Sequence, residues 1–232
     1  MPRLPALAVT ALIAAGCTDL SQPWELDHAR VLAVRLSTPG LVAGDTATVD
    51  ALVSDDRGVP RVLIPSGVQI VGAGADALTV AGDGGVWTVT AGSQAAIDAL
   101  RASEGVAADA PAIVTLATAY VDAGVALVAT KQVRLGVAGV NPPSPSIAID
   151  GVVGATAPVA VGKDVALTLT GLDGVADLAY DWLTSTGELT RSETPAATLV
   201  IATDDPRTGQ LAAVVRDDAG GVAWATSTIA AE

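Results

Sequence analysis

The chain is poor in the residues that usually carry chemistry. Its 232 residues include one histidine, one cysteine and no phenylalanine, with four tryptophans and two tyrosines. A single cysteine excludes a disulfide within the chain, so stability has to come from burial and strand pairing. The His and Cys clusters that hold zinc or copper are excluded as well. A Ser-His-Asp relay needs its base at hydrogen-bond distance from a nucleophile. The one histidine, His28, has no glycine-framed serine to serve and reads as a solvated side chain. Basic residues are also scarce. Twelve Lys and Arg stand against 25 Asp and Glu, a formal net charge of −13. Such a chain repels phosphate backbones, so nucleic acid is excluded as a partner. The glycines of "GAGADAL", 72–78, lack the strand-to-helix context of a phosphate or dinucleotide loop. No cofactor is expected.

Half of the residues are apolar, with Gly and Pro distributed throughout. Ala, Val, Leu, Thr and Gly dominate, a β composition with little aromatic bulk. "RVLAVRL", 30–36, alternates, with Leu32, Val34 and Leu36 on one face and Val31, Ala33 and Arg35 on the other. "DTATVDALVS", 45–54, points Ala47, Val49, Ala51 and Val53 inward, with Thr46, Thr48, Asp50 and Ser54 mostly toward water. Further strands are expected near 60–64, 68–72 and 85–90. "SQAAIDALRASEG", 93–105, breaks the pattern: Ser93 can cap, Ile97 and Leu100 lie three apart, and Gly105 can terminate a short helix. "AIVTLATAY" and "VALVATKQVRL" flank Asp122-Ala123-Gly124, the signature of a hairpin.

"NPPSPS", 141–146, reads as a stiff, extended boundary segment. The second half echoes the first. "GDTATVDA", 44–51, matches "GKDVALTL", 162–169, and "GVALVAT", 124–130, matches "GVAWAT", 221–226. The first half carries extra residues between these landmarks, and the 93–105 helix falls among them. Strands are expected at 146–150, 164–170, 177–184, 196–202, 209–216 and 222–229, with a last hairpin turning at Gly220 and Gly221. The expected fold is all-β, two tandem Ig-like β-sandwiches. The first spans 29–140 with an inserted helix near 93–103. The linker is 141–146 and the second sandwich is 147–232.

The segments "YDWLTSTGEL", 180–189, and "GQLAAVVRDDAGG", 209–221, resemble the bacterial Ig-like and PKD-like domains. In those, a core tryptophan, here Trp182, sits on a central strand. A "D..GG" turn, here Asp218-Ala219-Gly220-Gly221, joins the last two strands. The resemblance implies the sandwich and no activity.

Met1 to Gly16 reads as an export signal, with Arg3, an apolar run from Leu4 and the small residues Ala14, Ala15 and Gly16 before Cys17. The run is short of the ~20 apolar residues that span a bilayer. The small-small-Cys ending resembles the bacterial lipobox, although Ala14 stands where Leu or Val is usual. Removing a leader cut before Cys17 takes away Arg3 and makes the chain still more acidic. Acylation of Cys17 would bury about 0.8 kcal/mol per CH₂ and anchor the chain. The tether would run from 17 to 28. "CTDLSQPWELDHARVLAVRL", with "PGLVAGDTATVDALV", resembles a group of myxobacterial lipoproteins, which implies an anchor and Ig-like modules. The expected address is the cell envelope, at the outer membrane.

Acidic pairs occur at Asp55-Asp56, Asp204-Asp205 and Asp217-Asp218. Asp217 and Asp218 are the calcium candidates, but no pair has the spacing of a calcium loop, and Asp favours turns. No metal site is expected. Tyr180 and Trp182 lie two apart and share a face, read as core, with Trp224 placed beside them. Trp87 is placed in the first core. Trp24, outside any strand, is read as docking on the first domain or at the lipid interface. Exposure of Trp24, Trp87 or Trp224 on a flat face would favour a glycan-binding module. A cleft converging on two carboxylates would favour a hydrolase. The expected role is non-catalytic: structural, or binding an envelope protein or a glycan.

Overall fold

The computed structural model describes residues 22–154 and 158–232. Cys17 and the leader lie outside the described residues. The strands of the first half are β1 (Arg30–Leu36), β2 (Gly40–Leu41), β3 (Thr46–Ser54), β4 (Pro60–Leu63), β5 (Gly67–Val71), β6 (Leu78–Asp83) and β7 (Val86–Ala91). The helix α1 (Gln94–Glu104) then leads to β8 (Ala112–Asp122) and β9 (Val125–Leu135). The second half holds β10 (Ser146–Ile149), β11 (Val152–Val153), β12 (Pro158–Val159), β13 (Asp164–Thr170) and β14 (Leu178–Thr184). It ends with β15 (Glu188–Thr190), β16 (Ala196–Val200), β17 (Thr208–Asp217) and β18 (Val222–Ala231).

These strands form two sandwiches of one topology. The first packs β1-β3-β7-β6, with β4 also on β3, against β2-β9-β8-β5. The second packs β11-β10-β13-β16-β15 against β12-β18-β17-β14. In both, a two-residue strand pairs parallel with the last strand, β2 on β9 and β12 on β18. The fold is therefore two tandem Ig-like sandwiches, and the weak internal sequence match reflects a real structural repeat. The helix occupies the crossover between the sheets of the first sandwich, inside residues 92–111; the matching crossover in the second needs only 201–207. Ser93 accepts the Ala96 N–H at the helix start, and Gly105 ends it with φ 67°. Ile97 and Leu100 seal the first core from this end.

The alternation read in β1 is broken by a bulge. The register with β3 shifts between Val31 and Ala33. An extra residue flips the pleat, so Val31 joins Val34 and Leu36 on the core side, while Leu32 goes with Ala33 to the other face. β6, unread in the sequence, pairs with β7 through a Gly84-Gly85 turn. The expected hairpin at Asp122 is present: Asp122 pairs with Val125, and Ala123 and Gly124 take φ 46° and 87°. Both central residues lie in the left-handed region that this tight turn requires.

The segment 141–146, expected as a stiff boundary linker, lies along a seam, where Asn141 bonds both sandwiches. The sandwiches lie side by side. The outer face of β1 and β3 meets the outer face of β17 and β18, burying Ala33, Leu52, Ala212, Val214 and Val222. Leu26, in the stretch read as a tether, is buried with them.

Candidate functional site at the domain junction

Long polar side chains of the described residues converge on this junction. Leu32 is the bulged residue of β1, and its carbonyl accepts Arg216 Nη2 from the other sandwich at 2.9 Å. Arg216 Nη1 is paired with Asp181 on the neighbouring strand β14. The turn of the last hairpin enters from the second sandwich. Lys131 Nζ donates to Gly220 O at 2.6 Å, and Arg134 Nη1 donates to Asp218 O at 2.7 Å. Asn141 joins both sides: Nδ2 donates to Leu36 O and Ser37 O, and Oδ1 accepts the Val222 N–H at 2.9 Å. Burial, reinforced by the nearby Arg216 charge and opposed by Asp217, pulls the Lys131 ammonium down to about 8.

The chain start is part of the same assembly. Thr184 on β14 donates its N–H to Trp24 O at 2.9 Å, and Leu26 N–H donates to Thr184 O at 2.8 Å. Residues 24–26 thus add a short parallel rung to the second sandwich. Arg30 of β1 holds the segment from behind, donating from Nη2 to Pro23 O and Glu25 O. Burial lowers the Arg30 pKa, against the opposing pull of Asp27.

The tryptophans divide differently from the sequence reading. Trp182 is in the second core, 1% exposed, and its Nε1 donates to Thr194 O. Trp224 is not beside it. Trp182 pairs with Ala213 and Trp224 with Val214, so a one-residue offset on β17 puts the two rings on opposite faces. Trp224 lies in the junction under Arg35, whose guanidinium carbon is 3.9 Å from the ring centroid. Arg35 also grips Asp50 with two nitrogens. Trp24 packs on the second core, not on the first domain. Trp87 packs half-buried against the first core.

The acidic pairs occupy separate turns. Asp55 Oδ1 accepts the N–H groups of Arg57 and Val59, each at 2.9 Å. Desolvation pushes the Asp55 pKa up, but these two bonds and the charges of Arg61 and Arg57 outweigh it and leave it lowered. Asp205 Oδ2 accepts Ala202 N–H and Asp217 Oδ1 accepts Gly221 N–H, so these carboxylates cap their own turns. The calcium candidate Asp218 offers its carbonyl to Arg134. Among the described residues no three His, Cys, Asp or Glu side chains gather as a metal site. His28 stands exposed, with Nδ1 2.5 Å from Asp27 Oδ1. Beside Trp24 a cleft of about 210 Å³ is lined by Arg30, Asp181, Ser192 and Glu193.

No protein-family model and no curated protein matches the chain. Among solved structures it is similar to a nucleoside hydrolase-related hypothetical protein from Saccharophagus degradans that is associated with carbohydrate metabolism. The identity is 18% over 40% of this chain and 26% of that one, with TM-score 0.30. It is similar to the protocadherin gammaB4 extracellular domain at 13% identity, over 89% of this chain and 33% of that one, with TM-score 0.28. The N-terminal Ig1-2 module of the Drosophila receptor protein tyrosine phosphatase DLAR matches at 14% identity, over 88% and 99%, with TM-score 0.30. The chain spans about a third or less of the length of the first two. The fold assignment rests on the sheets and their order.

Proposed function

We propose that this is an exported envelope protein, held at the outer membrane by lipid on Cys17, whose two sandwiches work as one non-catalytic interaction body. The Ig-like fold is consistent with a structural or binding role. The observation that carries the reading is the junction. Cations from both sandwiches donate to backbone carbonyls across it, and Asn141 is bonded on both sides. Such a joint presents surfaces at a fixed angle, which suits recognition or assembly. The acidic turns support the non-catalytic part, since Asp55, Asp205 and Asp217 each cap their own backbone. The anchor rests on the Cys17 motif and on the resemblance of the chain start to myxobacterial lipoproteins.

The test is intact mass and detergent partitioning of the protein made in a lipoprotein-competent Gram-negative host, beside Cys17→Ser. A triacylated peptide starting at Cys17, with Cys17→Ser soluble or uncleaved, is the expected result. An unmodified chain, equally soluble with or without Cys17, overturns the anchor. The cleft at Trp24 favours a second reading, in which one sugar ring stacks on the indole and bonds Arg30, Asp181 or Glu193. Glycan binding that Trp24→Ala abolishes would establish it.

A further inference from the structure

The outer face of β5, β8 and β9 carries no carboxylate. Its central rows place Gly67 beside Ala119 beside Val128, and Gln69 beside Ala117 beside Thr130. The next row outward joins Val121 to Ala126. Val128 is 72% exposed and Val121 is 60% exposed. Arg134, the one cation of this face, turns at its far end to bond Asp218 O. In a chain of net charge −13 a carboxylate-free sheet face is unusual. The Asp122 side chain at its rim is buried and paired with Arg61.

We infer that this face pairs with the same face of a second copy of the chain. Three observations select that occupant. First, two copies carrying the same large negative charge repel, and here they can approach without carboxylate meeting carboxylate. Second, the relief is self-complementary. A Cβ at Gly67 would meet only Ala119 Cβ, at 3.9 Å, so Gly67 and Ala119 form a flat at one side of a row that ends in the protruding Val128. A two-fold axis lying between the two faces and parallel to β8 exchanges the positions of β5 and β9 and seats each Val128 on the partner's flat. Third, the size fits a reversible pair. β8 and β9 are 11 residues each and β5 is 5, so at the usual rise and strand spacing the three strands offer roughly 450 Å² per copy. The pair then buries roughly 900 Å², in the range of weak, concentration-dependent contacts. The chain already covers another outer face in this way, with Ala33 and Leu52 of β1 and β3 packed on Ala212 and Val214.

This deepens the interaction role proposed above and rests on it. The test is light scattering coupled to size exclusion on the exported full chain in mild detergent, through a dilution series. Val128→Glu would bury a carboxylate against each partner's flat of Gly67 and Ala119 with no cation to meet it, while its exposure in the single chain leaves the fold intact. Val153→Glu on the second sandwich, a position 54% exposed, is the control. The expected result is a dimer for wild type and for Val153→Glu, with the dissociation constant raised about a hundredfold or more in Val128→Glu at unchanged melting temperature. A wild-type monomer at every concentration, or a dimer that Val128→Glu leaves intact, overturns the pairing. A photocrosslinker at position 128 separates the two readings. Capture of a foreign envelope protein by a monomeric chain overturns self-pairing and leaves the interaction role standing. A monomer that captures nothing removes self-pairing and counts against the interaction role.

Discussion

Arg216 reaches out of its own sandwich to the carbonyl of Leu32, 2.9 Å away, at the bulge in β1. The bulge takes Leu32 out of the β3 register, and the guanidinium of the other domain fills the vacancy. A local irregularity in one sandwich is thus the receptor for the other.

Arg216→Ala should therefore cost more than Asp181→Ala. The first removes the Leu32 bond and the pair with Asp181; the second loses only a pair whose carboxylate is 47% exposed. About 1–2 kcal/mol is expected for Arg216→Ala and less than about 1 for Asp181→Ala. Arg216→Lys should not recover the loss, because a single ammonium nitrogen cannot replace the two spaced guanidinium nitrogens that reach Leu32 O and Asp181 separately. Urea unfolding of the three variants checks the order.

Asn141→Ala leaves the carbonyls of Leu36 and Ser37 and the N–H of Val222 without their shared partner. A loss of about 1–3 kcal/mol is expected. It should appear as earlier protease cleavage between 136 and 145, read by mass spectrometry, before either sandwich melts.

Stability should rise and then fall in the alkaline range. Lys131 is held near 8 when folded against 10.5 when free, so between these values the unfolded chain binds the extra proton. Stability from this group is full above 10.5 and is lost as pH falls through 8. Tyr120, buried in the first core, is pushed up from 10.0 to about 12, chiefly by burial. Its contribution is full below 10 and is lost as pH rises toward 12. Melting temperature should climb above pH 8, peak near 10 and then drop. Lys131→Met should flatten the climb and leave the drop.

Ala123 sits at φ 46°, where an L side chain is strained, in the turn between β8 and β9. Ala123→Gly or Ala123→Asn should stabilise the chain by about 0.5–1 kcal/mol. Thermal unfolding checks the sign, and Ala123→Val should shift it the other way.

The cores were legible because their strands alternate. Val49, Ala51 and Val53 point one way and the polar side chains of β3 mostly the other, so patterning located the strand. The paired rungs β2 and β12 were not, since two residues carry no period and exist only through a partner distant in sequence. The junction did leave a trace. β3 runs Ala51-Leu52-Val53 and β17 runs Leu211 to Val215 without a polar residue, the mark of strands covered on both faces. Trp224 was misplaced because only the register on β17 separates its face from that of Trp182. The Lys131 and Arg134 contacts cannot be read from sequence at all, because their acceptors are backbone carbonyls, and every residue has one.

The docking of Trp24, Glu25 and Leu26 on β14 sets the route by which mechanical load enters the molecule. The chain passes first to the second sandwich, returns through Arg30 to build the first, and comes back through Asn141 to complete the second. Tension applied ahead of Gln22 falls on the two bonds at Thr184 and on the Arg30 clasp before it can reach β1. The first sandwich is a loop shielded from that pull, and its exposed sheet keeps its shape while the second bears the strain.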